Sequence, residues 1–289
     1  MTTQTFSTEK IVIDEFVEEY FKKTLVPLLE NMKIKYKLGI DGPISAGKST
    51  ALECFYTLGK KYGIKFAVLP EYINADPTIG SIMLERFIKK EITNATFQNY
   101  ILDTYSHSYS RIIKENSDYN IMLMERVPDD SILIFANITN RNYPEDLNEQ
   151  TLFALYNKMV EYNNKCSFPS YFDNDTKFVE FIGDIDDIMI NIIDIVADDI
   201  KNGIEKRIIG LNVNTDVCVS RIKRRGRPEE QNYDKSYLAQ LIHAYNEIYK
   251  IKKINEEHKQ NAKTKEEIEK INKKYSIRFT NIGRLIDEF

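Results

Sequence analysis

The chain has 289 residues, a formal net charge of −4 at pH 7 and three cysteines. This length is sufficient for one large α/β domain with an extensive core. An acidic balance is not typical of a general nucleic-acid-binding protein, whose affinity for phosphates depends on a surplus of Lys and Arg. We therefore expect no nucleic-acid partner.

The cysteines and the apolar runs of the chain indicate the cellular compartment of the protein. Cys54, Cys166 and Cys218 are far apart and show neither CxxC nor metal-site spacing. No apolar run reaches the roughly 18 residues of a membrane span, and the first residues lack the basic and apolar segments of a signal peptide. The sequence predicts reduced thiols, no membrane association and a cytoplasmic protein.

The first predicted element is a helix over residues 10–32, where apolar residues recur at helical spacing. Pro27 lies inside this pattern and predicts a kink or a break. An apolar stripe most often indicates packing against a core. We therefore interpret residues 1–34 as an N-terminal helical extension of a domain that spans residues 35–289.

The next segment carries the strongest motif in the chain. Residues 42–49, Gly-Pro-Ile-Ser-Ala-Gly-Lys-Ser, fit the phosphate-loop pattern GxxxxGK[ST], between a predicted buried strand at 36–40 and a predicted helix at 50–62. The glycines let backbone N–H groups face a polyphosphate, and the helix adds its positive end. A plain turn would not require Lys48 as a cation or Ser49 as a hydroxyl for Mg²⁺. The motif predicts nucleotide binding.

Two further predicted strands end in charged residues. The segment 64–71 ends in Glu71, and the segment 121–126 ends in Glu125 and Arg126. Ligands of open parallel sheets bind at the carboxyl ends of the strands, so both acids are expected in the crevice that holds the phosphate loop. The alternative for Glu71 is a solvated strand end.

Helical patterns fill the chain between and after these strands. One runs over 78–115 with a polar break near Thr93 and Asn94, and it contains Gln98, whose amide can both donate and accept. Most helix glutamines are simply solvated, which is the alternative here. Residues 132–138 look helical and carry Phe135, and 147–162 form another helix.

The last part of the chain combines an irregular segment with regular ones. Residues 163–185 show no clear period and are interpreted as a long loop or an insertion. The remaining patterns predict helices and two more strands. The helices are placed at 186–201, 237–249 and 250–274, and the strands at 207–213 and 275–280.

A strongly basic run occupies residues 221–231. A solvated helix end is one explanation, yet such a cluster in an acidic protein indicates a purpose. Gly226 and Pro228 predict a mobile segment, and cations that close over phosphates are what phosphoryl transfer requires. We interpret residues 221–231 as a basic lid.

Five motifs occur in a familiar order: GPISAGKST, LPE, TFQ, ER and RIKRRGRPEEQ. Together they resemble the deoxyribonucleoside kinase family, which includes deoxycytidine, deoxyguanosine and mitochondrial-type thymidine kinases. The resemblance runs from about Tyr36 to Phe289, with 163–185 and 252–274 as apparent additions. It implies an α/β P-loop kinase fold, with a five-stranded parallel sheet flanked by helices, and a homodimer.

The resemblance also implies catalytic roles. Glu71 matches the general base, which takes the proton from the 5′-hydroxyl as it attacks the γ-phosphate of ATP. Glu125 matches the acid that helps Ser49 to hold Mg²⁺. Arg126 matches the arginine that steadies the 5′-oxygen and the transferring phosphoryl group. The candidate ATP-binding residues of the loop and lid are Gly42, Ser45, Ala46, Gly47, Lys48, Ser49, Thr50, Arg221, Arg225 and Arg227.

Other residues match the family's nucleoside-binding positions. Gln98 matches the residue that reads the base by a bidentate amide pair, and Phe97 the aromatic residue before it. Phe135 matches a stacking wall, and Glu230 a glutamate that contacts the sugar. Phe87 falls where many members have a tyrosine that bonds the 3′-hydroxyl, so we expect a changed sugar preference.

The chain departs from the family at the base-binding end as well. Tyr105 and Ser131 fall where deoxycytidine and deoxyguanosine kinases keep an Arg and Asp pair, with Asp130 one position away. The base is therefore left open. Val127 follows Glu125 and Arg126 where serine is commoner.

The resulting hypothesis is an ATP-dependent, Mg²⁺-requiring 5′-kinase of a deoxyribonucleoside in nucleotide salvage. A nucleoside monophosphate kinase, such as thymidylate kinase, is the nearest alternative, but the carboxylate of Glu71 would repel a phosphate-bearing acceptor. A catalytically silent nucleotide-binding subunit is a third possibility. The intact Lys48, Glu71 and Glu125 argue against it.

Overall fold

The structure is a computed structural model. It describes most of the chain between residues 12 and 270. The described residues are 12–29, 35–136, 138, 148–173, 175–226, 233–261, 264, 266, 267 and 270.

A five-stranded parallel sheet forms the centre of the molecule, in the order β2-β3-β1-β5-β4. This arrangement confirms the predicted fold class. The strands are β1 (Tyr36–Asp41), β2 (Phe66–Leu69), β3 (Ile121–Glu125), β4 (Lys177–Phe181) and β5 (Lys206–Leu211).

Helices cover the sheet and connect its strands. They are α1 (Glu15–Thr24), α2 (Val26–Leu29), α3 (Lys48–Lys61), α4 (Tyr72–Ala75), α5 (Pro77–Ile88), α6 (Asn94–Glu115), a π-helix (Ser131–Ala136), α7 (Glu149–Cys166), α8 (Ile185–Lys201), α9 (Thr215–Arg225) and α10 (Lys235–Asn261). None of the helices among the described residues combines the length and hydropathy needed to cross a lipid bilayer.

The interpretation of 163–185 as a loop is wrong at residues 177–181. These residues form β4, which pairs in parallel with β5 at one edge of the sheet. Only Phe178 of this strand is buried, so its sequence lacks the apolar run of an inner strand. The strand expected at 275–280 lies outside the described residues.

Alternation along the strands divides the core between the two faces of the sheet. Leu38 and Ile40 of β1 belong to a buried cluster with α1, α3 and α8. Met122 and Met124 of β3 point to the other face and meet α6. Helices on both faces explain why the inner strands are mainly apolar.

The two parts of the long helical pattern are separated as expected. α5 ends at Ile88, and α6 begins after Thr93, whose side chain accepts a hydrogen bond from the Thr96 backbone N–H at 3.2 Å. This cap satisfies a donor that the start of α6 would otherwise leave unpaired. The break predicted near Thr93 and Asn94 is therefore confirmed.

The N-terminal helix is part of the core. Val17 and Phe21 of α1 and the adjoining Leu25 are buried in the cluster that includes α3 and α8. The helix ends at Thr24, just before Pro27, which agrees with the predicted break. This segment therefore contributes apolar burial to the domain.

A buried charge pair joins the sheet to α8 at the end opposite the phosphate loop. Asp199 of α8 accepts from the Tyr36 hydroxyl at 2.6 Å and from Arg207 Nε at 2.8 Å. The carboxylate is fully buried. It therefore connects the first residues of β1 and β5 to one helix.

We predict that Asp199→Asn destabilises the protein by about 3–5 kcal/mol, because it leaves the charge of Arg207 without its buried partner. Urea unfolding measures this change. Asp198→Asn, at the exposed neighbour, is the matched control and should cost less than about 0.5 kcal/mol. An equal effect of the two variants would contradict the prediction.

Candidate active site

One continuous cleft of about 1530 Å³ lies at the carboxyl ends of the strands. Because β2, β3 and β1 are neighbours, the phosphate loop after β1 lies beside Glu71 after β2 and Arg126 after β3. The cleft extends from this loop to Gln98 on α6. The predicted site residues that line it are Ser45, Ala46, Gly47, Lys48, Ser49, Thr50, Glu71, Phe87, Phe97, Gln98, Glu125, Arg126, Phe135, Arg221 and Arg225.

Two predicted site residues, Arg227 and Glu230, lie outside the described residues. Gly42 is the remaining one, and its carbonyl oxygen accepts hydrogen bonds from both Lys48 and Arg126. The sequence-based expectation that Glu71 and Glu125 share one crevice with the phosphate loop is therefore met.

The phosphate loop needs glycine at its first position. Gly42 has φ +139°, and a Cβ there would lie 2.2 Å from the carbonyl oxygen of Leu211. Its backbone N–H donates to Asp41 Oδ1 at 2.7 Å. Gly47 has φ +105° and starts α3 without a side-chain cap, so backbone N–H groups remain for a ligand.

Lys48 is a buried cation inside the loop, with 4% of its surface exposed. Its Nζ donates to the carbonyl oxygens of Gly42 at 3.0 Å and Pro43 at 2.9 Å. Burial, reinforced by the charge of Arg126, lowers the pKa of Lys48 to about 8. The ammonium is thus held at the place where a phosphate would compensate for its lost hydration.

Glu125 and Ser49 form the candidate metal position. Ser49 Oγ donates to Glu125 Oε1 at 2.8 Å. Burial, followed by the nearby charge of Glu71, raises the pKa of Glu125. Within the described residues, no group of three or more His, Cys, Asp and Glu side chains could hold a metal alone. Two hard oxygens still fit Mg²⁺, which usually takes one or two carboxylates and completes its shell with water and substrate phosphates.

Arg126 connects the parts of the site. Its Nε donates to Glu71 Oε1 at 2.8 Å, and its Nη1 donates to the Gly42 carbonyl oxygen at 2.9 Å. The guanidinium carbon lies 5.1 Å from the centroid of the Phe135 ring, which allows a cation–π contact. Glu71, the residue just before α4, is thus tied to the phosphate loop through one side chain.

Gln98 occupies the far end of the cleft and is oriented by a neighbour. Its Nε2 donates to Asn94 Oδ1 at 3.1 Å, while Asn94 Nδ2 lies 3.4 Å from the Ala136 carbonyl oxygen. A carbonyl oxygen can only accept a hydrogen bond, so it fixes the orientation of the Asn94 amide. The Asn94 amide in turn fixes the orientation of the Gln98 amide. Gln98 Oε1 is buried and has no partner among the described residues. An acceptor is thus available to a ligand that donates.

Stacked aromatic side chains form one wall of the cleft. The rings of Phe87 and Phe97 are stacked, with centroids 4.6 Å apart and planes at 9°. Tyr72 meets the edge of Phe97 with centroids 5.4 Å apart. This surface suits a flat or apolar part of a ligand.

The basic run begins on α9, against the phosphate loop. Arg221 Nη1 donates to the Ser45 carbonyl oxygen at 3.0 Å, and Arg225 Nη2 donates to Ser45 Oγ at 3.1 Å. Ser45 has φ +62°, so the loop presents both of these oxygens at a sharp turn. Gly226 ends the helix in the left-handed conformation.

Sequence reasoning missed several polar residues that support the site. Tyr245 on α10 accepts a hydrogen bond from Arg126, and Asp130 accepts one from Tyr245. Asn94 could have been found, since it lies one helical turn before Gln98. Tyr245 carried no such signal, because it lies far along the chain inside an apolar helix pattern.

The comparisons identify the family. The deoxynucleoside kinase (dNK) family model matches residues 38–180 and 180–280. The chain therefore belongs to the deoxynucleoside kinase family, a group of nucleotide-binding phosphotransferases.

Two solved structures are similar to this chain. Deoxyadenosine kinase from M. mycoides with bound dATP is 21% identical, over 74% of this chain and 84% of its own, with a TM-score of 0.41. The same kinase with products dCMP and a flexible dCDP bound is 21% identical, over 74% and 83%, with a TM-score of 0.42. None of the curated proteins matches the chain.

We predict that ATP binding at pH 8.5 takes up a proton. The pKa of Lys48 is about 8 before phosphates bind, and their negative charge should raise it. Affinity for ATP should therefore fall as pH rises through about 8. Calorimetric titration in two buffers of different ionisation enthalpy measures the uptake.

Lys48→Arg is the matched control for this titration. Arginine keeps the cation but does not lose its proton in this pH range, so its variant should take up none. Wild-type binding at pH 8.5 without proton uptake would contradict the prediction.

Proposed function

We propose that this protein transfers the γ-phosphoryl group of ATP to the 5′-hydroxyl of a deoxyribonucleoside in nucleotide salvage. The observation that carries the proposal is the position of Glu71. Its carboxylate lies in the cleft between the phosphate loop and Gln98, bonded to Arg126 at 2.8 Å. A general base at that point can accept the proton of an acceptor hydroxyl that attacks a phosphate held by the loop.

In this proposal ATP occupies the loop side of the cleft. The free N–H groups at the start of α3 and the ammonium of Lys48 bind the phosphates. Arg221 and Arg225 already contact the loop at Ser45 and add positive charge on the same side. The basic segment 221–231 would then act as a lid.

The deoxyribonucleoside occupies the other side. Its base stands against the Phe87 and Phe97 wall, and its edge pairs with the Gln98 amide. Asn94 keeps the oxygen of that amide towards the ligand, so the base must present a donor next to an acceptor. Every common base can do so, and the preferred base is left to experiment.

Glu71 accepts the proton of the 5′-hydroxyl as the oxygen attacks. Arg126 bridges the Glu71 carboxylate and the phosphate loop, where negative charge develops. Ser49 and Glu125 would hold Mg²⁺. When bound there, the ion neutralises charge on the phosphates of ATP. The other groups named act by holding the two substrates in line.

The first experiment assays purified protein with ATP and Mg²⁺ on each of the four deoxyribonucleosides and, separately, on their monophosphates. We expect turnover on at least one nucleoside. Turnover on monophosphates alone would place the protein with the nucleoside monophosphate kinases. ATP binding without turnover on any acceptor would indicate a silent nucleotide-binding subunit.

We predict that Glu71→Gln lowers kcat by about 100-fold or more, within the range of a lost general base. The Kd for ATP should change little, because Glu71 contacts the acceptor side. Steady-state kinetics and ATP titration measure the two effects.

Glu53→Gln is the matched control for this variant. Glu53 lines the same cleft from α3, and it is not the acid that bonds Arg126. Its substitution should leave kcat within about threefold. An unchanged rate in Glu71→Gln would show that another group is the base.

A further inference from the structure

Arg126 is held on two sides, and only one of them faces the proposed reaction. On the acceptor side, its Nε donates to Glu71 at 2.8 Å. On the other side, its Nη1 donates to the Gly42 carbonyl oxygen at 2.9 Å and to the Tyr245 hydroxyl. Arg126 as a whole is 6% exposed, so these contacts replace most of the hydration of its guanidinium.

Tyr245 reaches this position from α10, on which none of the sequence motifs falls. Its side chain is fully buried, and its hydroxyl donates to Asp130 Oδ2 at 2.7 Å. A hydroxyl has a single proton. Because that proton goes to Asp130, the oxygen lone pairs of Tyr245 face Arg126.

The carboxylate of Asp130 does not replace the tyrosine. Its Oδ2 lies 3.7 Å from Arg126 Nη1, which is too far for a hydrogen bond. Asp130 Oδ1 is buried and has no partner in the described part of the chain. Protonation at Oδ1 would leave Oδ2 as an acceptor, so the contact with Tyr245 is kept in either state of the carboxyl.

Further buried polar groups lie next to Asp130. Burial, with the adjacent Asp41 carboxylate, raises the pKa of Asp130 well above its usual range. Asp41 is itself bonded to the Tyr171 hydroxyl at 2.5 Å and to the Gly42 N–H. The polar groups behind Arg126 thus form a connected set rather than one isolated contact.

We propose that Tyr245 is a positioning residue, whose hydroxyl, oriented by Asp130, fixes the Arg126 guanidinium against Glu71 and the phosphate loop. The role rests on the proposed function. An arginine side chain has several rotatable bonds, and fixing it beforehand removes reorganisation from the transfer step. Tyr245 acts through Arg126 and does not itself touch the substrates.

Tyr245→Phe tests this role, because it removes only the hydroxyl. We expect kcat for nucleoside phosphorylation to fall about 10- to 100-fold, the range of one hydrogen bond to a charged group. The KM for ATP should stay within about twofold, since the phosphate-loop contacts remain. Thermal unfolding of the same sample establishes that the variant is folded.

Tyr249→Phe is the matched control. Tyr249 lies one turn further along α10, its ring centroid is 5.8 Å from that of Tyr245, and it is equally buried. Its hydroxyl has no hydrogen-bond partner among the described residues. Removing it should leave kcat within about twofold.

A double-mutant cycle separates positioning from general destabilisation. Arg126→Lys keeps a cation but lacks the planar fork that reaches Tyr245 and Glu71 together. If Tyr245 acts through Arg126, Tyr245→Phe in the Arg126→Lys background should change kcat by less than about twofold. A purely structural role would give the same fold loss in both backgrounds.

The outcomes distinguish the two proposals. An active wild-type enzyme with an unchanged kcat in Tyr245→Phe, or with equal losses in both backgrounds, overturns the positioning role and leaves the proposed function intact. A wild-type protein without turnover on any nucleoside overturns both. The role of Tyr245 is supported if Tyr245→Phe lowers kcat in the protein that keeps Arg126 but not in the Arg126→Lys variant. Tyr249→Phe should leave kcat unchanged.

Discussion

The site depends on one buried guanidinium. Arg126 follows β3 directly, its backbone N–H donates to the Ile40 carbonyl oxygen of β1 at 3.0 Å, and its φ of +66° turns the chain sharply at this point. The side chain then reaches Glu71, which follows β2. Three adjacent strands of the parallel sheet are therefore connected at their carboxyl ends by a single residue. This connection places the Glu71 carboxylate beside the phosphate loop without requiring a long or flexible segment.

Charged groups of both signs surround this residue before any substrate binds. Two cations, Lys48 and Arg126, lie among the carboxyl groups of Asp41, Glu71 and Glu125, and each buried group has hydrogen bonds that replace part of its lost hydration. Burial still lowers the pKa of Lys48 and raises the pKa of Glu125, so the charged form of each group is disfavoured. Phosphates would relieve the first, and a cation the second. The Lys48 ammonium and the Glu125 carboxylate would each gain a partner of opposite charge if a metal-bound polyphosphate entered this pocket.

Prediction from sequence succeeded where local pattern and local structure coincide. The phosphate loop, the inner strands and the break before α6 have short-range signals, because glycine, apolar runs and polar breaks act on neighbouring backbone. It failed at β4, a five-residue edge strand with one buried side chain, whose pairing comes from β5. It also placed a plain helix at 132–138, where the structure has a π-helix at Ser131–Ala136. Such a widened turn depends on tertiary packing rather than on residue type.

The sequence by itself determined the class of chemistry: a phosphate loop, two acids at strand ends and a basic run can be read from residue types and spacing. It also determined that Glu71 and Glu125 share one crevice, because parallel strands bring their ends to one edge. Only the tertiary structure decided which groups hold these residues in place. Tyr245 lies more than a hundred residues from Arg126 in the sequence. The hydroxyl of Tyr245 donates its one hydrogen bond to Asp130. The burial of Tyr245 and its hydrogen bonds to Arg126 and Asp130 come from packing of distant segments, and no local pattern encodes them.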